Sequence, residues 1–167
     1  MGANPYLYVV SYRPQPDVLF PELLELEFCI RTALDDLRCW VFLAGNYQPP
    51  DPYKWVTDLS RPPEVSFEIS KIREGLAVIK EELIGSNDGT RSILDLDHVA
   101  EAPGYNAVGP LPDATLVKLY GTTEPTREMV LADTSFFSEL DRGQGAYIVL
   151  YKEGEADEIL FAGYSYD

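Results

Sequence analysis

The strongest pattern in the chain is a recurrence of apolar side chains every three or four residues after Asp17. Leu19, Leu23, Leu26, Ile30, Ala33 and Leu37 fall on one helical face, and Glu22, Glu25, Arg31 and Asp35 on the other. Asp17 supplies an N-cap and Pro21 still lies within the first turn, so an amphipathic helix is predicted over about 18–37. A second stripe, Ile69, Ile72, Leu76, Ile79 and Leu83, predicts another helix over about 67–84, stopped by the polar, glycine-containing run from Gly85 to Gly89.

Other segments carry the signature of strands. Pro5–Tyr12 is rich in Tyr and Val and closes on Arg13-Pro14-Gln15-Pro16, which reads as a central strand ending at a proline-limited turn. Cys39–Ala44 is too short and too uniformly apolar to classify by period; its Val, Phe and Trp favour a buried strand, with an extension of the first helix as the alternative. Prolines at 49, 50 and 52 and again at 62 and 63 bracket a short Tyr53–Leu59 element, and both passages are connectors within a domain. From Asn87 to Asp113 periodicity is weak apart from Ser92–Val99. Ala114–Tyr120 and Arg127–Ala132 read as strands on their Val, Leu and Tyr content, and Asp133 or Thr134 caps a short helix holding Phe136, Phe137 and Leu140. Ala146–Tyr151 and Ile159–Tyr164 flank the acidic run Lys152–Glu158 as a hairpin. No internal repeat is present. The sum is a single α+β domain over residues 1–167, with a mainly antiparallel sheet packed on one face against two long amphipathic helices.

Composition supports a packed core, since 46% of the residues are hydrophobic. Charge narrows the partners. There are 28 acidic residues against 13 basic ones, a formal net charge of −15. Nucleic acids and anionic lipid surfaces are recognised through Lys and Arg, and no dense basic run exists to do it. A basic protein partner fits better. The stretch 121–167 is the most one-sided, with ten acids and three bases. No apolar run approaches the roughly 20 residues that cross a bilayer. There is also no apolar leader at the start, and the two cysteines, Cys29 and Cys39, read as buried thiols, so a reduced, cytoplasmic setting is expected.

The single histidine, His98, removes several reaction classes. Zinc held by His and Cys needs three or four ligands at short spacings, and Cys29, Cys39 and His98 are scattered. Neither cysteine lies in a glycine-flanked elbow and no Gly-x-Ser-x-Gly occurs, which disfavours a nucleophilic hydrolase. The glycine-bearing turns at Gly85–Arg91 and Arg142–Gly145 lack the lysine and the strand-to-helix context of a phosphate loop. No metal or cofactor is expected. Asp95, Asp97 and His98 form the densest cluster of possible ligands: on a strand, the two aspartates would share a face and could hold a hard cation or divide acid and base roles. Two carboxylates on the wet side of a half-buried strand explain the same letters.

The eleven tyrosines are unusual for one domain. Most lie in predicted strands, but Tyr47, Tyr53 with Trp55, Tyr105, Tyr164 and Tyr166 fall in loops or near the last residue, where an aromatic face and a hydroxyl suit a contact surface. Glu153, Glu155, Asp157 and Glu158 together with Tyr47, Tyr53, Trp55, Tyr164 and Tyr166 form the expected partner-binding set. In general character, a small acidic α+β chain without catalytic motifs is similar to immunity proteins that neutralise toxins. That resemblance implies an inhibitor occluding a basic partner, and no residue is carried over from it. A small-molecule binding domain or enzyme built around Asp95, Asp97 and His98 is the alternative.

Overall fold

A computed structural model describes residues 3, 5–12, 29–35, 37, 38, 41, 56–58, 74, 77, 78 and 92–165, the segment 56–58 through its backbone. Its elements are β1 (Pro5–Ser11), β2 (Val56–Asp58), β3 (His98–Val99), β4 (Ala107–Pro110), α1 (Asp113–Tyr120), α2 (Arg127–Ala132), β5 (Gly145–Lys152) and β6 (Glu155–Tyr164), with 3-10 turns at Ile93–Asp95 and Ser135–Glu139. Residues 29–35, 37, 38 and 41 are also helical.

The strands form one six-stranded sheet in the order β2-β1-β6-β5-β4-β3. β6 runs antiparallel to its neighbours β1 and β5, whereas β2 is parallel to β1, β4 to β5 and β3 to β4. The sheet is therefore mixed, which corrects the expected mainly antiparallel arrangement. A hairpin announces itself locally through its turn. Two of the three parallel pairs, β1 with β2 and β4 with β5, join segments distant in sequence and carry no local signal.

Both faces of the sheet are covered. On one face, Tyr6, Tyr8, Val10, Ile159 and Phe161 pack with Ile30, Leu34, Leu37 and Val41 of the helical residues and with the 3-10 turn at Ile93 and Leu94. On the other, Leu7, Val9, Ile148, Leu150 and Leu160 pack with Leu116 and Tyr120 of α1, Val130 of α2 and Phe136. This explains why Pro5–Ser11 is apolar almost throughout: a strand buried on both sides needs hydrophobic residues at every position, not at alternate ones.

The first predicted helix agrees with the helical residues from Cys29 onward, and the helical, buried Val41 places that part of the 39–44 run in a helix and not a strand. The stripe from Ile69 to Leu83 lies outside the described residues; within its span Glu74, Ala77 and Val78 are helical and exposed. The segments expected as strands at 114–120 and 127–132 are helices α1 and α2. Their boundaries carry helical signals: Pro112 and Asp113 open α1, Gly121 closes it by donating its N–H to Val117 O, and Thr126 Oγ1 caps α2 by accepting from Met129 N–H at 3.4 Å. β4 has no strand signature, because Gly109 and Pro110 look like breakers. Gly109 is needed there, since a Cβ would overlap the Ala102–Pro103 backbone crossing over it.

At the centre, Gly145 of β5 pairs with Gly163 of β6, and the fully buried Tyr6 ring lies over them. A Cβ at Gly163 would overlap the Tyr6 hydroxyl and the Gln144 carbonyl; one at Gly145 would overlap Leu96. The Tyr6 hydroxyl has no hydrogen-bond partner among the described residues. Gly163→Ala is therefore expected to lower unfolding stability by about 1–3 kcal/mol through overpacking, whereas Tyr6→Phe leaves it unchanged or raised. Urea denaturation of the two variants checks both signs.

Two other core tyrosines give an alkaline limit. Burial, with Asp95 nearby, pushes Tyr8 up to about 12, and burial with Asp133 nearby does the same for Tyr120, whose hydroxyl donates to Asp133 O at 2.8 Å. In the unfolded chain both titrate near 10. Between those values the folded state holds protons that the unfolded state has released. Their contribution to stability is therefore complete below pH ~10 and is lost as pH rises towards 12. The urea midpoint should fall across this window, and Tyr8→Phe should flatten the fall.

Candidate functional site

The carboxyl ends of β1 and β5 lie at the same edge of the sheet and flank the start of β6, since Ser11 pairs with Glu158 and Lys152 with Glu155. In open α/β sheets this edge, where strands end and helices begin, is the usual place for ligands. Here it carries a dense run of acids. β5 and β6 are joined by a two-residue turn, Glu153 and Gly154, with φ of 54° and 83°. Two successive positive φ angles match the right-handed twist of the flanking strands, as in type I′ hairpins, where Asn-Gly is the favoured pair. The predicted hairpin is present, but with a shorter turn: Glu155, Asp157 and Glu158 belong to β6.

A bulge separates these acids. The register moves between Leu150, opposite Glu158, and Tyr151, opposite Ala156, leaving Asp157 as the extra residue; its carbonyl accepts from Tyr12 N–H at 2.8 Å. Directly paired residues share a face, so Glu158 lies on the same side as Leu150, the side covered by α2. There it meets Arg127, the first residue of α2, whose Nη1 donates to Glu158 Oε1 at 2.8 Å. The side chains are 29% and 14% exposed, so this is a partly desolvated pair and not a surface contact. The junction is also held through backbone, Tyr151 N–H donating to Pro125 O at 2.9 Å.

Between α2 and the hairpin is a cleft of about 350 Å³, lined by Thr126–Glu128, Leu150–Glu153, Asp157 and Glu158. Burial raises the pKa of the Tyr151 phenol, with the charges of Glu124 and Asp113 adding to it. At the rim, Glu128 is held below the usual carboxylate range, chiefly by a backbone hydrogen bond of its own and by Thr126, with Arg127 and Lys152 contributing. Glu153, Glu155 and Asp157 are exposed, and no ion pair among the described residues involves them.

The other expected site residues are dispersed. Tyr164 is half-buried, its ring edge-on to Phe137 at 5.4 Å between centroids, so it serves the core beside α1 and α2. Tyr47, Tyr53, Trp55 and Tyr166 lie outside the described residues. Asp95 sits in the first 3-10 turn, where its charge acts on Tyr6 and Tyr8. Asp97 precedes β3 and contacts His98 Nδ1, and His98 is exposed. The strand that would have aligned the two aspartates is replaced by a turn. Among the described residues, no group of three or more His, Cys, Asp or Glu is placed to hold a metal ion, and no helix is long and apolar enough to cross a membrane. Neither Arg127 nor Tyr151 stands out in the sequence as part of a site: both fall in segments that read as strands, and only the structure brings Arg127 to the start of a helix beside the hairpin.

The chain matches no family model, no curated protein and no solved structure.

The Arg127–Glu158 pair fastens α2 to the hairpin. Arg127→Ala should lower unfolding stability by about 1–2 kcal/mol, between an exposed pair and a buried one, and Arg127→Lys should fall between wild type and Ala because it keeps the charge without the guanidinium fork. Denaturation curves for the three proteins check the order.

Proposed function

We propose that the protein is an acidic binding module that docks a basic protein partner through the tip of the β5–β6 hairpin, in the manner of an inhibitor covering a basic cleft. The observation that carries this reading is the conformation of Glu153. A non-glycine residue in the left-handed region costs roughly 1–2 kcal/mol, and Asn at this turn position would relieve much of it. A carboxylate held there, beside exposed Glu155 and Asp157, is strain kept at the tip of the hairpin, and strain of this kind collects at functional positions.

The charge of the whole chain supports the same reading. A net charge of −15 steers a cationic surface towards the protein, and a cluster on a short, firmly paired hairpin gives that encounter a fixed orientation. Glu158 has a different role. It is engaged by Arg127 and holds the hairpin in place for the three exposed acids.

With an interacting partner identified by affinity purification, changing Glu153, Glu155 and Asp157 together to their amides should slow association at least about tenfold at low ionic strength and flatten its salt dependence, with dissociation less affected. Glu153→Asn alone should slow association while raising the unfolding midpoint. Association rates indifferent to both the substitutions and the salt would refute the proposal.

A further inference from the structure

We draw no further inference here: the strongest candidate, the exposed apolar side chains Val117 of α1 and Met129 of α2 on the solvent side of the second helical layer, carries nothing because nothing in the structure shows what covers them.

Discussion

Burial of both faces of β1 and β6 is the constraint from which the rest of the fold follows. A strand with one wet face needs helices on one side only, the arrangement that two amphipathic stripes suggest. Here every residue from Tyr6 to Val10 is buried, and so are Ile159 to Gly163 opposite. Hydrophobic surface on both sides requires a layer on each. One is supplied by the helical residues between Cys29 and Val41 with the turn at Ile93–Asp95, the other by α1, α2 and the turn at Ser135–Glu139. The placement of α2 against the sheet then brings Arg127 to Glu158, and with it the cleft. The site is thus a by-product of how the second layer is laid down.

The parts of the fold legible in the sequence are those whose cause is local. β1, the β5–β6 hairpin and the helical face at Ile30, Ala33 and Leu37 each announce themselves within a dozen residues, through β-branched and aromatic content, a turn, or a period. The illegible parts depend on residues far away. β4 is a strand because β5 and β3 flank it, and its Gly109 is explained by a crossing backbone that no local pattern reveals. α1 and α2 mislead for another reason: in segments of eight and six residues, a few Val, Leu and Tyr weigh as much as a period that completes barely two turns, so the caps at Thr126 and Gly121 are the better guide. For the site, the run of acids is visible in the sequence, but not that Glu158 is drawn off to Arg127. That separation needs the bulge at Asp157, a one-residue change of register without a sequence signature.

The electrostatics of the sheet edge show two uses of the same residue type a few positions apart. Glu158 is largely covered and answered by a guanidinium; its value lies in geometry, since it fixes where α2 begins. Glu153, Glu155 and Asp157 remain in water, where like charges repel weakly and their field extends outward. Placing both kinds on one hairpin means that the outward-facing charges are mounted on a part stiffened by the inward-facing one. Asp95 offers a contrast on the opposite layer, where its charge acts on Tyr6 and Tyr8 and becomes part of how the core titrates.

The direction of β6 has a consequence for the order in which the molecule is assembled. β1 pairs along its whole length with β6, Pro5 with Tyr164 through to Ser11 with Glu158, so during synthesis the first strand of the sheet must wait for the last. Until then an apolar strand with an open edge and two sticky faces is exposed, and the central ladder cannot nucleate on a growing chain. The sheet closes only once Tyr164 has been made. The β5–β6 hairpin, with its tight turn, is the natural template on which β1 arrives, so damage near Tyr164 is felt first at Pro5, its direct partner in the ladder though the two are made at opposite ends of synthesis.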